Sequence, residues 1–520
     1  FLEGIGNKMN ASGKVFASNY YKFCKNILSK YGYLLSEDLK EIDELQPIDD
    51  SESEDLLNLN IGLTVHEAKR ISSFSHAIKD RSYNYLKENK EFYNKLVIDN
   101  FLSEGYIPFN AIIILTLKLF DEYPEINEFY KKYFSYIIVD EFQDTNILGW
   151  GLLSNLIEEQ SVILMGDPLQ KIYNFIGAIP DILVKAESKF NLKRTTLKKN
   201  YRFEDNEKML LLDRNIRKNA KSPYNTNIEN QNVANIEILE FENQDEEGQG
   251  IVDNILEVRK DNNSKIAILA KQRGNNIDKI LEVLDENNLE YFYGLFSEEN
   301  DDYKEFHDIC LAELKDILKK SKGKFYKTHY NKYFETIKEI SEERPIFKPL
   351  CTLIRSFLDQ VFRGDKYNFL PSEYKIDIFK NLLENNGLKQ QMEYLDEDII
   401  VSTVHGAKGL EWDYVIIPDM ERYSFPNYKG LCGYCNDNNI CITDQQRKCK
   451  INWERAKKEF QSRFLNELSI FYVAVTRAKE EVYFSYSKKR LNYSGVEKTT
   501  YLSCLLNLEG INPIIKPAGE

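Results

Sequence analysis

The stretch YIIVDEFQDT, residues 136–145, decides the fold. Its short apolar run ends abruptly in two adjacent carboxylates, Asp140 and Glu141. The same pattern, an apolar run that stops at polar residues, recurs at 162–165, 266–270 and 414–417. Runs of this length are typical of central strands in a parallel sheet that is covered on both faces. Ligands bind at the carboxyl ends of such strands. The sequence therefore predicts an α/β fold with parallel sheets flanked by helices, and site residues directly after these runs.

Length and composition narrow the class of protein. A chain of 520 residues is long enough for about three or four domains. With 42% hydrophobic and 29% charged residues it has a globular composition, which excludes a wholly disordered or collagen-like chain. The net charge of −14 argues against coating nucleic acid by bulk charge, although a local basic channel stays possible. Eight cysteines and no secretory signal predict a cytoplasmic protein. The longest apolar run, 111–117, is too short to cross a bilayer and predicts a buried helix.

The carboxylate pair suggests phosphate chemistry. One carboxylate is suited to hold Mg²⁺, and the other to activate a water for attack on a γ-phosphate. An acidic turn after a strand is the alternative, but the Gln143 and Asp144 that follow favour function. The next strand ends in GDPLQKIYNF, residues 166–175, where a glutamine is placed to contact a phosphate. Two aromatic residues in that stretch are suited to stack on bases, or else they are core residues after a turn.

These two segments resemble motifs II and III of superfamily 1 helicases of the UvrD/Rep/PcrA type. Three more segments match in the right order: LKKNYR (197–202) resembles motif IV, VSTVHGAKGLEWD (401–413) motif V, and FYVAVTRAK (471–479) motif VI. SNYYKFC (18–24) is a degraded match to the family's Thr-Phe-His-Ser-Phe-Cys segment. Five ordered matches argue strongly against chance.

The resemblance implies two tandem RecA-like lobes with ATP between them, each carrying a helical insertion. We expect the first lobe at 1–24 and 105–202 with its insertion at 25–104. We expect the second lobe at 203–296 and 396–520 with its insertion at 297–395. Residues 302–386 indeed read as mostly helical, whereas the acidic stretch 36–55 lacks periodicity and predicts a solvated loop.

The resemblance also assigns roles in ATP hydrolysis. Asp140 would hold Mg²⁺, Glu141 would be the catalytic base, and Gln170 would contact the γ-phosphate. Arg202 and Arg477 would clamp the transferring phosphoryl group, since a guanidinium offers bidentate bonds and keeps its charge.

Further roles concern the nucleoside and the DNA. Tyr201 would stack on the adenine, and Glu411, near Gly409, would hold the ribose or bridge the lobes. The expected single-strand track is formed by Tyr173, Phe175, Thr403 and His405. Plain packing is the alternative for Tyr201 and Phe175.

Two departures from the family pattern stand out. Residues 175–178 read FIGA where the family usually has Trp-Arg-Gly-Ala, which removes one charge. No Gly-x4-Gly-Lys-Ser/Thr phosphate loop occurs in the chain. We therefore expect that the intact gene product encodes this loop upstream and that these 520 residues alone bind ATP poorly.

The cysteines form a cluster in the sequence. Cys432, Cys435, Cys441 and Cys449 follow the pattern Cys-x2-Cys-x5-Cys-x7-Cys. Four thiolates at such spacing would form a closed, structural zinc site. Free thiols in a surface loop are the alternative.

The sequence thus predicts an ATP- and Mg²⁺-dependent DNA translocase or helicase, with 3′-to-5′ movement implied by the resemblance. One alternative is a non-catalytic DNA-binding or regulatory subunit that kept the scaffold. Another is the helicase subunit of a nuclease-coupled repair or phage-defence complex, with the nuclease as a partner because no nuclease motif is visible.

Overall fold

The structure is a computed structural model of the chain. It describes residues 16–158, 160–172, 177–224, 226–260, 264–272, 274–296, 301–364, 367, 370–384, 386–395, 397–491 and 496–517. The chain forms two compact units, unit 1 from Phe1 to Thr196 and unit 2 from Leu197 to Glu520. This boundary falls six residues before the one expected after Arg202, so the motif IV residues 197–202 lie in unit 2.

Unit 1 is mostly helical in its described residues. Its helices span Tyr20–Tyr31, Ser53–Asn58, Val65–Lys79, Tyr83–Leu96, Phe109–Glu122, Pro124–Tyr133, Ile147–Leu156 and Ile182–Phe190. The apolar run at 111–117 lies within the helix Phe109–Glu122, whose residues 111–116 are all buried, so the predicted buried helix is confirmed. Local signals fix the helix ends. Thr64, for example, starts Val65–Lys79 with a capping box in which its hydroxyl accepts from Glu67 N–H at 3.2 Å.

The prediction of a solvated loop at 36–55 is wrong. Leu39 and Ile42 are buried in the helical core, and Asp50 is 1% exposed. The Asp50 carboxylate accepts from Ser75, from Tyr93 Oη at 2.5 Å and from Asn110 Nδ2 at 3.3 Å. These partners come from three helices distant in sequence, and burial nevertheless raises the pKa of Asp50. The acidic composition of this stretch therefore predicts a loop, whereas its few apolar side chains are in fact buried in the core.

The strands of unit 1 pair in parallel. Gln46–Ile48 pairs with Tyr106–Pro108, and Tyr136–Val139 pairs with Ser161–Leu164. In the second pair the burial alternates, and Tyr136 is 69% exposed, Ile138 48% and Ile163 49%. The expectation that both faces of these strands are covered is therefore wrong for unit 1 as the structure describes it.

Unit 2 is built on a seven-stranded sheet in which every neighbouring pair is parallel. The order across the sheet is Ile511–Pro517, Ala234–Phe241, Ala478–Ser487, Trp412–Ile417, Ile266–Ala270, Ile399–Thr403, Phe292–Gly294. The central strand Ile266–Ala270 is buried along its whole length, as its unbroken apolar run predicts. Two short antiparallel hairpins lie outside this sheet, Cys441–Thr443 with Cys449–Ile451 and Lys489–Leu491 with Glu497–Thr499.

Helices flank this sheet and form the insertion. They span Glu207–Lys221, Gln244–Arg259, Asn275–Glu286, Asp301–Lys320, Lys327–Glu343, Lys348–Phe362, Ser372–Glu384, Gly433–Asp437 and Lys458–Val475. The prediction that 302–386 is mostly helical is confirmed. Tyr330 and Tyr333 of this region are buried, whereas Lys322 and Lys324 are exposed. The fold class is therefore α/β with a parallel sheet flanked by helices, as predicted.

Candidate functional site

The predicted carboxylate pair lies at the exposed carboxyl end of the strand Tyr136–Val139. Glu141 has a left-handed backbone (φ 49°), and its N–H donates to Asp140 Oδ1 at 2.8 Å. The backbone then enters a turn, Phe142–Asp144, in which Gln143 donates its side-chain Nε2 to the Glu141 carboxylate. Both carboxylates are exposed whereas Gln143 is buried, so the amide orients Glu141 from beneath. Exposed carboxylate oxygens are the ligands that Mg²⁺ prefers, so Asp140 fits the predicted role.

The neighbouring strand delivers the predicted phosphate contact to the same edge. Ser161–Leu164 is followed by a turn, Pro168–Gln170, capped by Asp167, whose Oδ1 accepts from Leu169 N–H at 3.0 Å. Gln170 Nε2 donates to Asp167 Oδ2 at 3.3 Å, and Asp167 N–H donates to Gln143 Oε1 at 3.1 Å. Gln143 therefore ties the two strand ends together and brings Asp140, Glu141 and Gln170 to one edge.

One residue at this edge was missed by sequence reasoning. Lys171 is half-buried, and its Nζ donates to the carbonyl of Ile179 at 3.0 Å. Burial and then the charge of Arg81 lower its pKa to about 8. Its position next to Gln170 was the only signal available. The predicted DNA contacts Tyr173 and Phe175 lie outside the described residues.

In unit 2 the predicted guanidinium and carboxylate form an ion pair. Arg202 Nη2 lies 2.7 Å from Glu411 Oε2, and Arg202 Nη1 donates to the Thr476 carbonyl at 2.6 Å. Lys479 lies 3.9 Å from the other Glu411 oxygen and was not predicted as a site residue. Glu411 precedes one strand, and Thr476 and Lys479 flank the start of its neighbour. This group therefore lies at the amino-terminal edge of the sheet.

Arg477 lies at the same edge but points inward. It is 3% exposed, and its guanidinium donates to the carbonyls of Val473 and Leu410 at 3.0 Å each and to Thr476 Oγ1 at 3.1 Å. These bonds hold the side chain against the end of the helix Lys458–Val475. Arg477 therefore has to leave them to meet a ligand.

Tyr201 is at the surface of unit 2. Its ring is 74% exposed, and Lys199 Nζ lies 4.4 Å from the ring centre. The backbone beside it is held by Asn200, whose Oδ1 accepts from Arg202 N–H at 3.0 Å and Phe203 N–H at 3.2 Å. The aromatic face is thus available for stacking.

The motif V residues follow the strand Ile399–Thr403. Thr403 Oγ1 accepts from Gly406 N–H at 3.0 Å, which forms the turn that carries the half-buried His405. Gly409 is exposed with φ +85°, a conformation that glycine adopts without strain. Thr403 and His405 therefore lie at the carboxyl end of their strand, whereas Glu411 lies beyond this turn at the opposite edge.

The carboxyl edge of the large sheet contains a cluster of two buried carboxylates and one partly exposed carboxylate that was not predicted as a site. One oxygen each of Glu247, Asp419 and Glu421 lies within 4.8 Å of the other two. Asn276 Nδ2 donates to Asp419 at 2.9 Å and to Glu247 at 3.2 Å. Burial raises the pKa of all three acids, that of Asp419 to about 7.

Two of the four cysteines of the predicted zinc site come together in the structure. Cys441 and Cys449 are close to each other, and Cys504, which the sequence pattern did not include, joins them. Cys435 is buried but is not a member of this group. Cys504 was missed because it lies more than fifty residues after the cluster.

The chain is similar to known helicases in both halves. Residues 11–191 match the UvrD/REP helicase N-terminal domain, and residues 296–489 match the UvrD-like helicase C-terminal domain. None of the helices in the described part of the chain combines the length and apolar character that a membrane span requires.

Curated relatives point the same way. The chain is 22% identical to a probable DNA helicase II homolog of Mycoplasma genitalium, over 86% of this chain and 69% of the relative. It is 33% identical to the ATP-dependent DNA helicase PcrA of Bacillus subtilis, over 32% of this chain and 24% of the relative. It is 22% identical to PcrA of Staphylococcus aureus, over 74% of this chain and 59% of the relative. The chain therefore belongs to the UvrD/Rep/PcrA type of superfamily 1 helicases.

Proposed function

We propose that the intact protein is an ATP-dependent DNA helicase or single-strand translocase. The observation that carries this proposal is the exposed pair Asp140 and Glu141, with Glu141 bonded to the buried Gln143 amide. A carboxylate that is exposed yet held in one orientation is suited to accept a proton from an attacking water. The relatives named as DNA helicases support DNA as the substrate.

Three residues of unit 1 would act at the phosphate, each in a different role. ATP with Mg²⁺ supplies the phosphoryl group and the bond that is hydrolysed, and Asp140 would hold the metal. Glu141 orients the water and takes its proton. Gln170, tethered to Asp167, is placed to contact the phosphate. The 520 residues include no phosphate loop, so the cradle for the phosphates is not among these side chains.

The residues of unit 2 supply positive charge and a stacking surface. Arg202 is held by Glu411 and the Thr476 carbonyl, so its guanidinium is ordered before any ligand arrives. Arg477 would join it after exchanging its three internal hydrogen bonds for the phosphoryl group. Tyr201 offers its exposed ring to the adenine. Glu411 and Gly409 would border the nucleoside.

The DNA side of the proposal rests on motif V and motif III. Thr403 and His405 would contact the strand, and Tyr173 and Phe175 would stack on bases. We also propose movement from 3′ to 5′, which the family resemblance implies, and a cytoplasmic location, which the low cysteine content favours. A nuclease or repair partner stays a prediction. The chain spans 24% to 69% of the relatives it matches, so their activity is extended to it as a proposal.

The test replaces the base in the intact protein. Glu141→Gln should abolish ATP hydrolysis stimulated by single-stranded DNA while DNA binding, measured by fluorescence anisotropy, persists. Glu88→Gln, an exposed glutamate in a helix of the same unit, is the matched control and should leave hydrolysis unchanged. Unchanged hydrolysis in Glu141→Gln would show that the base is wrongly assigned, and no hydrolysis in the unaltered protein would favour the non-catalytic alternative.

A further inference from the structure

Three cysteine sulfurs meet in unit 2 away from the helicase motifs. The Sγ atoms of Cys441, Cys449 and Cys504 all lie within 4.8 Å of one another. Cys449 and Cys504 are 1% and 2% exposed, and Cys441 is partly exposed. Tetrahedral zinc with bonds of about 2.3 Å to sulfur places its ligand atoms at separations of this size. The group is therefore compact enough to surround one metal ion.

Two chain segments bring these sulfurs together. Cys441 and Cys449 lie in the hairpin Cys441–Thr443 and Cys449–Ile451, on diagonal positions of one face. Cys449 N–H donates to the Leu502 carbonyl at 3.0 Å, which fixes the C-terminal segment beside the hairpin. Ser503 then caps the turn that Cys504 begins, accepting from Leu505 N–H at 3.3 Å. The approach of Cys504 thus follows from backbone pairing rather than from sequence proximity.

A fourth sulfur borders the group. Cys432 is 1% exposed and accepts a hydrogen bond from the backbone N–H of Tyr423 at 3.4 Å. Backbone N–H donors to sulfur are the kind of partner that orients a metal-bound thiolate. Burial raises the pKa of the Cys432 thiol to about 12. The bond from Tyr423 lowers this pKa, and the nearby Cys441 and Cys449 thiols raise it. Cys432 therefore lies near the other thiols, although its sulfur is not one of the three that lie within 4.8 Å of one another.

Two cations, Arg422 and Lys271, lie near these sulfurs. Burial raises the pKa of the Cys432 thiol and the hydrogen bond with Cys441 raises that of Cys449, and the charge of Arg422 opposes both rises only in part. The buried Nε of Arg422 has no hydrogen-bond partner among the described residues. Lys271, paired with Glu467, is also close enough to interact with Cys432 and Cys504. Cations at this distance favour thiolates, which are the form that binds a metal.

We infer that Cys441, Cys449 and Cys504 form a structural Zn²⁺ site, and that the sulfur of Cys432, which lies outside this group of three, moves in as the fourth ligand when the metal binds. Binding would release the proton of each coordinating thiol to solvent and join sulfur to zinc, with no change of oxidation state. Cys432 would also give up the bond that its S–H donates to Pro426 O at 3.1 Å. Four protein ligands leave no open position, so the metal would serve stability rather than catalysis.

The site has a clear structural purpose. It would join the segment after the strand Trp412–Ile417, the cysteine hairpin and the C-terminal turn at Cys504–Asn507. Backbone bonds already join these segments, among them Arg422 N–H to the Tyr501 carbonyl and Ser503 N–H to the Met420 carbonyl at 2.8 Å each, and the metal would add a link between their side chains. Lys271, which follows the strand Ile266–Ala270 and lies 5.3 Å from the centre of the Phe425 ring, pairs with Glu467 of the helix Lys458–Val475.

The test measures metal in the intact protein purified under reducing conditions. Elemental analysis should find one zinc per chain that survives a brief EDTA wash. Cys504→Ser and Cys441→Ser should each reduce the zinc content at least tenfold. Cys435→Ser is the matched control, because Cys435 is equally buried in the same segment but outside the sulfur group, and it should keep one zinc per chain. Cys432→Ser tests the fourth ligand and should also lose zinc.

A second measurement does not depend on the folding of any variant. Replacing the metal of the unaltered protein with Co²⁺ should produce the thiolate-to-cobalt charge-transfer and d–d absorption bands of a tetrahedral sulfur site. Metal-free protein, iron in place of zinc, or a Cys441–Cys449 disulfide in the reduced preparation would overturn the proposal. Loss of zinc in Cys435→Ser with retention in Cys504→Ser would do the same.

Discussion

Each unit contains a parallel sheet whose strands end in carboxylates, but the two carboxyl edges differ in exposure. In unit 1, Asp140 and Glu141 are exposed and are oriented by a buried amide. In unit 2, Glu247 and Glu421 are 0% exposed, and Asp419 beside them is partly exposed. The sequence pattern before Asp140 and before Asp419 is the same. The two edges therefore differ in solvent exposure, which the sequence pattern does not reveal.

Hydrogen bonds and a shift toward the protonated form stabilise the carboxylates of this cluster. Ser485 donates to Glu247 at 2.7 Å, Ser424 donates to Glu421 at 2.9 Å, and Arg490 lies 4.0 Å from Glu421. Burial still raises the pKa of these acids, because one distant cation does not offset the desolvation of three carboxylates. The buried acids of this edge therefore serve architecture. The predicted ATP-site residues Arg202, Glu411 and Arg477 lie at the opposite edge, whereas the predicted DNA contacts Thr403 and His405 lie at the carboxyl edge.

The largest expected effect concerns that opposite edge. Arg202→Ala should lower DNA-stimulated ATP hydrolysis by about 10³- to 10⁵-fold, the usual cost of losing an arginine on the transferring phosphoryl group. Steady-state hydrolysis at saturating DNA is the measurement. Lys479→Ala is the control, since Lys479 lies 3.9 Å from the same Glu411 but is expected to have a much smaller effect. An equal loss of hydrolysis in both variants would mean that each substitution acts only by disturbing Glu411, and not by removing a contact to the phosphoryl group.

The next effect tests whether the buried charges at the carboxyl edge of unit 2 stabilise the fold. Lys271→Met should destabilise the protein by about 3–5 kcal/mol, because it leaves the buried Glu467 carboxylate without its partner. Urea unfolding of the intact protein measures the loss. The double variant Lys271→Met, Glu467→Leu should recover part of it because neither charge then remains. A double variant as unstable as the sum of both single variants would contradict the ion-pair account.

The third effect is a pH dependence. Asp419 has a pKa of about 7 in the folded protein and about 3.9 when unfolded, so folding takes up a proton between these values. Stability from this group is therefore complete below about pH 4 and is lost as the pH rises to about 7, by up to about 1.4 kcal/mol per pH unit. Glu247 and Glu421 shift in the same direction.

Thermal unfolding from pH 5 to pH 8 measures this slope. Asp419→Asn should flatten it and raise the melting temperature at pH 8. The exposed Asp245→Asn is the control and should leave the slope as it is. A melting temperature that rises with pH over this interval would show that the cluster is not protonated on folding.

The smallest effect is local to unit 1. Asn146 caps the helix Ile147–Leu156 right after the carboxylate turn, accepting from Leu148 N–H at 3.1 Å and Gly149 N–H at 3.0 Å. Asn146→Ala should cost about 1 kcal/mol in urea unfolding. Hydrolysis should stay unchanged because the cap holds the helix and not Glu141. A large loss of hydrolysis would place the cap in the site.

The sequence was sufficient where local chemistry decides the structure. Apolar runs predicted the strands at 136–139 and 266–270, and the motif residues Asp140, Glu141 and Gln170 were predicted from their positions after strands. The features that could not be predicted from the sequence depend on contacts between distant segments. Cys504 reaches Cys441 through backbone pairing at Leu502, and Asp50 is buried by side chains from three helices. The inward turn of Arg477 depends on carbonyls that no motif describes.

The central claim is that the exposed carboxylates of unit 1 act in ATP hydrolysis, whereas the carboxylate cluster of unit 2 only supports the fold. One paired measurement tests this claim most directly. ATP hydrolysis with single-stranded DNA is compared in Glu141→Gln and Asp419→Asn of the intact protein. The account predicts that Glu141→Gln loses hydrolysis with an unchanged melting temperature, whereas Asp419→Asn hydrolyses ATP normally. Normal hydrolysis in Glu141→Gln together with its loss in a folded Asp419→Asn protein would contradict the account.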